Sequence, residues 1–176
     1  MIDLLQQAKP IKLLICDVDG VFTNGQLIFD SKGECLKTFH VQDGLGVKLL
    51  IQQGIAVSAI TNRYSAIVEN RLSALGVSPI YDANNNKLAL FKQLAQTRQL
   101  DYHTIAYVGD DLVDLACLKQ AGLSIAVANA CPEVKQQAHW VTEKQGGSGA
   151  VREIAEFLLK VQNKWQQAIA AFTDSY

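Results

Sequence analysis

Apolar runs of strand length alternate along this chain with longer stretches of helical periodicity, and that alternation leaves few folds open. Residues 11–16 (Ile-Lys-Leu-Leu-Ile-Cys) form a short apolar run of the kind found in strands covered on both faces. Residues 56–60, 105–108 and 123–127 repeat the pattern, and 77–81 repeats it more weakly. Helical stretches fall between them at 44–53, 65–75, 86–98 and 112–121, and Gly54, Gly76 and Gly122 each stand just past one, where a helix C-cap takes glycine. This β-α-β-α order predicts an α/β fold: a doubly wound, mostly parallel, Rossmann-like sheet.

One segment breaks the rhythm. Residues 26–29 and 34–39 are strand-like and are joined by Asp30-Ser31-Lys32-Gly33, which reads as a β-hairpin over about 26–39. Because it follows the first strand directly, it should project from the C-terminal edge of the sheet, the edge where open α/β folds bind ligands. The tail, about 149–172, carries Ile154, Phe157, Leu158, Val161 and Trp165 at helical spacing and predicts one long helix packed on the sheet. The glycine-rich run Gly146-Gly147-Ser148-Gly149 reads as a loop, not an interdomain linker. At 176 residues the whole chain, 1–176, fits one domain.

Composition narrows the partners. The formal net charge is -1, so no broad basic field is available to hold nucleic acid. No apolar run approaches the ~20 residues of a membrane span. Residues 1–10 include Asp3, Gln6, Gln7 and Lys9, unlike a secretory signal, and a cytoplasmic location is expected. Cys16, Cys35, Cys117 and Cys131 form no CxxC pair and read as small apolar side chains instead of metal ligands or a disulfide framework.

The chemistry gathers at strand ends. Asp17-Val18-Asp19-Gly20-Val21 directly follows the first apolar run. Two carboxylates so close repel each other and raise one pKa; a divalent cation removes the conflict, and an oxygen-only donor set favours Mg²⁺. A loop with two solvated aspartates is the plainer reading. Gly109-Asp110-Asp111-Leu112-Val113-Asp114 follows another strand. Asp110 is best placed to reach a metal, while Asp111 and Asp114 suit an outer role or simple helix capping. Thr61-Asn62-Arg63, after a third strand, suits a phosphate oxygen, or Thr61 is an N-cap. Lys87 stands at a helix start after Asn84-Asn85-Asn86, where a lone surface lysine is the commoner explanation.

The order of these segments (acidic pair, hydroxyl, lysine, acidic cluster) resembles the four motifs of the haloacid dehalogenase superfamily of phosphohydrolases. The resemblance covers nearly the whole chain from Lys12 onward. It implies that Asp17 is the nucleophile and Asp19 the general acid and base. It also implies that Thr61 and Lys87 hold the phosphoryl group, and that Mg²⁺ is bound by Asp17, Asp110 and the backbone carbonyl of Asp19. Most members carry a cap domain. The stretches between Asp19 and Thr61 and between Lys87 and Gly109 are too short for a domain of the usual ~50 residues or more, so the site is expected to be uncapped.

More finely, Asp17 to Val21, Phe39-His40-Val41-Gln42-Asp43-Gly44, Glu69-Asn70-Arg71, Asn86-Lys87, residues 109–114 and residues 146–153 resemble the cap-less family of 3-deoxy-D-manno-octulosonate 8-phosphate phosphatases. That family serves lipopolysaccharide precursor synthesis and forms homotetramers whose hairpins make a central barrel, each site completed by a neighbour. The resemblance implies substrate contacts from Asp19, His40, Val41, Gln42, Asp43, Gly44, Lys48, Arg63, Arg71 and Lys87, and a small phosphorylated sugar acid as the partner. Arginine is common in the family where Gln42, Lys48 and Ser148 stand here, asparagine where His40 stands, and glycine where Asn62 stands. Loss of an arginine at Gln42 weakens any carboxylate contact made there, which leaves a nine-carbon acylneuraminate 9-phosphate as an alternative substrate. A response-regulator receiver, a signalling module with a phosphorylated aspartate on a similar sheet, is the alternative from another class.

Overall fold

A computed structural model of the chain describes residues 4–84 and 86–173. After a short helix α1 (Leu4–Ala8), strand β1 (Leu13–Cys16) enters the middle of the molecule with all four residues buried. The hairpin follows as β2 (Ile28–Asp30) and β3 (Gly33–Leu36), then α2 (Val41–Gln52), β4 (Ala56–Thr61), α3 (Ala66–Ser73), β5 (Ile80–Asp82) and α4 (Lys87–Thr97). The second half runs β6 (Ile105–Gly109), α5 (Leu115–Leu118), β7 (Leu123–Ala126), α6 (Pro132–Gln137), β8 (Trp140–Val141), α7 (Ala150–Val161) and α8 (Trp165–Thr173).

Six strands form one sheet in the order β5-β4-β1-β6-β7-β8, and every neighbouring pair is parallel. From β1 the chain moves outward through β4 and β5, then crosses back to β6 on the other side of β1. That reversal opens a crevice at the C-terminal ends of β1, β4 and β6. The central strands are dominated by Val, Ile, Leu and Ala and almost wholly buried, as in a sheet covered on both faces. Helices α2 and α7 pack closely: a methyl group at Gly46 of α2 would lie 3.1 Å from the Cβ of Ala155.

The expected α/β architecture is present, with four local differences. The projected helix over 112–121 opens with a 3₁₀ turn, Leu112–Asp114, before α5. The tail is two helices, because Asn163 adopts φ +56°, a left-handed conformation that asparagine tolerates better than most residues. Short elements α1, α6 and β8 are additional. The hairpin is a separate two-stranded sheet, but Phe39, at the end of the expected hairpin, packs against the core and does not project with it. Cys16 and Cys117 are buried free thiols and Cys131 is partly buried; the side chain of Cys35, and Asn85 as a whole, lie outside the described residues. No helix among the described residues is long and apolar enough to cross a membrane.

Candidate active site

Asp17 stands one residue beyond β1, and its backbone N–H still donates to the Val108 carbonyl of β6 at 3.0 Å. The sheet thereby fixes the backbone, and two donors fix the side chain. Val18 N–H donates to Oδ1 at 2.6 Å, and the Lys87 ammonium lies 2.7 Å from Oδ2. Burial, followed by the Asp114 charge, pushes the Asp17 carboxyl up to about 8, against the pull of Lys87.

Lys87 begins α4, whose N-cap is Asn86, its side chain accepting from Ala89 N–H at 3.1 Å. A helix N-terminus is an unfavourable place for a cation, and burial alone would push this ammonium down. Asp17 and Asp114 together outweigh that and hold it above its ordinary value. The lysine is 3% exposed, so it is an internal charge and not the surface lysine that is the commoner case at such a position.

Asp114 ties these parts together. Its Oδ1 accepts from Lys87 at 2.8 Å and from the Tyr107 hydroxyl at 2.7 Å. Its Oδ2 accepts from the N–H groups of Asp110 and Asp111 at 3.1 and 3.4 Å. Asp17, Asp110 and Asp114 bring carboxylate oxygens within 4.8 Å of one another, but with four donors already on Asp114 its capacity as a ligand is spent. A metal would therefore fall to Asp17 and Asp110, with Asp114 orienting the loop that carries Asp110. Burial, and next the Asp114 charge, push Asp110 up to about 7. One buried and one partly buried acid, both raised in this way, form an oxygen donor set in need of positive charge, which fits Mg²⁺.

Gly20 makes the approach of the two acidic loops possible. It has φ +85°, and a Cβ there would lie 1.9 Å from Asp110 Oδ2, so no other residue fits. Asp19, just before it, points into the same cavity and accepts from Lys37 at the end of the hairpin. Thr61 ends β4 and is 1% exposed; its Oγ1 accepts from Arg63 N–H at 3.1 Å, leaving the hydroxyl proton free to be donated.

These groups line a cavity of about 230 Å³ bounded by Asp17, Asp19, Thr61, Arg63, Lys87 and Asp110, together with Gly25, Asn62, Asp111 and Val113. The remaining expected substrate contacts do not line it. His40 and Gln42 face a larger cavity of about 510 Å³ beside Trp140 and Phe157. Val41 is 80% exposed, Lys48 is exposed on α2, and Arg71 packs over Gly44. Asp43 is buried and accepts from Gly149 N–H at 3.3 Å and Arg152 N–H at 2.8 Å, capping α7. Sequence reasoning missed Lys37 and Tyr107, each an ordinary residue until the fold brings it to an aspartate. It read Gly146-Gly147 as a loop and as part of the family resemblance, but not what the loop touches: a Cβ at Gly146 would lie 1.6 Å from the Gly20 carbonyl oxygen. That loop is the direct support of the acidic turn.

A carboxylate held by a buried lysine, beside a second acid, a free hydroxyl and an oxygen-only metal site, defines a phosphoryl-transfer centre. Residues 47–154 match the haloacid dehalogenase-like hydrolases, and the chain belongs to that family. It is 43% identical, over 94% of its length and 89% of the relative's, to 3-deoxy-D-manno-octulosonate 8-phosphate phosphatase of Yersinia pestis. The crystal structure of the Moraxella catarrhalis 3-deoxy-D-manno-octulosonate 8-phosphate phosphatase, in complex with magnesium, phosphate and KDO, is similar at a TM-score of 0.93 and 43% identity, covering 96% of this chain and 97% of that one. The cobalt-bound enzyme of that type from Haemophilus influenzae is similar at a TM-score of 0.90 and 37% identity, covering 94% and 99%.

Proposed function

We propose that this protein is a Mg²⁺-dependent phosphoric monoester hydrolase that converts 3-deoxy-D-manno-octulosonate 8-phosphate and water to the free sugar acid and phosphate. The observation that carries the reading is Asp17 itself: a carboxylate at a strand end, oriented by Val18 N–H and Lys87, opening on the cavity shared by Asp19, Thr61 and Asp110. The likeness to relatives of that name supports the substrate.

An Asp17 oxygen attacks phosphorus and forms an acyl phosphate, splitting one difficult displacement into two. Asp19 gives a proton to the departing sugar oxygen, then takes one from the water that attacks the aspartyl phosphate and restores Asp17. Thr61 donates its hydroxyl proton to a phosphoryl oxygen, and Lys87 offsets the charge that builds on the transferring group. When bound by Asp17, Asp110 and the Asp19 carbonyl, Mg²⁺ lowers the repulsion between phosphate and carboxylate. Arg63 offers a planar fork to the substrate's own charge. His40, Val41, Gln42, Asp43, Gly44, Lys48 and Arg71 lie off the cavity of their own chain, so they meet substrate only across a subunit boundary; we read the protein as a cytoplasmic homo-oligomer, a tetramer, of single-domain chains. Family membership sets aside the receiver reading. The nine-carbon acylneuraminate 9-phosphate is the second reading, resting on Gln42, Lys48 and Asn62.

Phosphate release measured across sugar phosphates with Mg²⁺ tests this. The eight-carbon acid should be preferred, chelation should stop turnover, and Asp17→Asn should leave less than about a tenth of the rate, a barrier rise of more than ~1.4 kcal/mol. Near wild-type release by that variant removes Asp17 as nucleophile; preference for the nine-carbon acid replaces the substrate.

A further inference from the structure

We infer that Lys37 is a positioning residue for the acid-base chemistry, holding the Asp19 carboxylate from the base of the hairpin. This rests on the role proposed above for Asp19.

The two acids of the Asp17-Val18-Asp19 turn are held from different parts of the molecule. Asp17 is gripped from the sheet side, by Val18 N–H and by Lys87 at the start of α4. Asp19 is gripped from the hairpin: the Lys37 ammonium, one residue past β3, donates to its Oδ1. The Lys37 side chain is 0% exposed and that of Asp19 21% exposed. A desolvated ammonium demands a charged or strongly polar partner, so the pair is a built contact, unlike a chance surface ion pair. Asp19 meanwhile keeps an open side toward the catalytic cavity.

The division of labour has a chemical consequence. Lys87 touches the nucleophile and acts on every substrate alike. Lys37 touches the other acid, does not itself line the catalytic cavity, and acts only through where Asp19 stands. An alkyl phosphate needs a proton delivered to its leaving oxygen in the transition state, whereas p-nitrophenolate departs well without one. A displaced Asp19 should therefore cost the two substrates unequally, and small displacements of a catalytic group are costly.

The test compares kcat/KM, which reports the phosphoryl-transfer half of the reaction, for the sugar phosphate and for p-nitrophenyl phosphate in wild type, Lys37→Met and Lys37→Arg. Lys37→Met should lower the ratio of alkyl to aryl kcat/KM by about 30-fold, and Lys37→Arg should recover most of that ratio. Slowed attack of water should also leave a burst of p-nitrophenol in Lys37→Met. A melting profile and Mg²⁺-induced stabilisation matching wild type would confirm that the variant is folded. Equal losses on both substrates, or no loss on either, overturns the assignment, because damage to the fold or to the metal site does not distinguish leaving groups. A wrong sugar would show in the wild type's own substrate panel, whereas a wrong role for Lys37 shows only in the variant's ratio.

Discussion

At the scale of single residues, the site is a problem of too much negative charge in too little water. Asp17, Asp110 and Asp114 crowd one buried region, and Lys87 is the cation placed among them. Lys87 is 2.7 Å from Asp17 and 2.8 Å from Asp114, and it leaves Asp110 to be balanced from outside the chain. The consequence can be measured without any substrate. Asp17 is raised to about 8 and Asp110 to about 7, both far above an unfolded aspartate near 3.9. A folded-state pKa above the unfolded one means that the fold binds more protons, so the metal-free protein loses stability as pH climbs from the unfolded value through about 8. Mg²⁺ competes with those same protons and binds the ionised carboxylates more tightly as pH rises over that span. The rise in melting temperature on adding Mg²⁺ should therefore be larger at pH 8 than at pH 6, the window set by those two acids. Thermal melts with and without Mg²⁺ check this. An equal shift at both values, or a larger one at the lower pH, would mean that the two acids are not the metal's ligands.

At the scale of elements, the catalytic turn depends on a loop far away in sequence. Gly146 and Gly147 lie against the turn after β1: a Cβ at Gly146 would be 1.6 Å from the Gly20 carbonyl oxygen, and one at Gly147 would be 2.4 Å from Asn24 N. The Asn129 side chain fixes this loop by accepting from Gly146 N–H at 2.7 Å. Backbone cannot yield to a new methyl as a flexible side chain can. Gly146→Ala should accordingly cost about 1–3 kcal/mol of stability, several degrees of melting temperature, and should depress turnover with the sugar phosphate by tenfold or more. Calorimetry and the phosphate assay check both; a variant with wild-type melting and rate would show that the loop merely lies nearby. Legibility in the sequence follows the same line between local and long-range causes. Strands β1, β4, β6 and β7 were readable because continuous apolar runs need both faces covered, and Asp17, Thr61, Lys87 and Asp110 because each stands where such a strand or its connection ends. The break at Asn163 was not readable, since apolar spacing continues from Val161 to Trp165 across it. That Asp43 caps α7 was not readable either, because only the tertiary fold brings residue 149 to residue 43. Lys37 carried no local signal, its significance being set wholly by where the hairpin stands over Asp19.

At the scale of the whole molecule, the hairpin is unfinished within one chain. It is a two-stranded sheet apart from the main one, and such a sheet is marginal in water without something to pack on. Ile28, Phe29 and Leu36 are 42%, 57% and 57% exposed, and covering each is worth about 1.5–3 kcal/mol. Its open edges invite pairing with another strand. Among the described residues, none of β2 or β3 lines the catalytic cavity of its own chain, and His40 and Gln42 face a different cavity. A closed ring of copies answers both needs together, with hairpins burying one another and each subunit roofing its neighbour's site; closure is the common outcome for identical chains. We therefore expect a tetramer. Sedimentation equilibrium should return four times the 19.2 kDa chain mass, and Phe29→Asp should shift that mass toward the monomer and reduce turnover with it. The sharper experiment mixes two inactive proteins, Asp17→Asn and a chain lacking its hairpin tip, after dissociation and reassembly. In shared sites an intact nucleophile from one chain can sit under an intact hairpin from the other, so the mixture should regain activity that neither has alone. A monomeric mass at micromolar concentration with full activity, or a mixture that stays inactive although mixed oligomers form, would mean that each chain completes its own site.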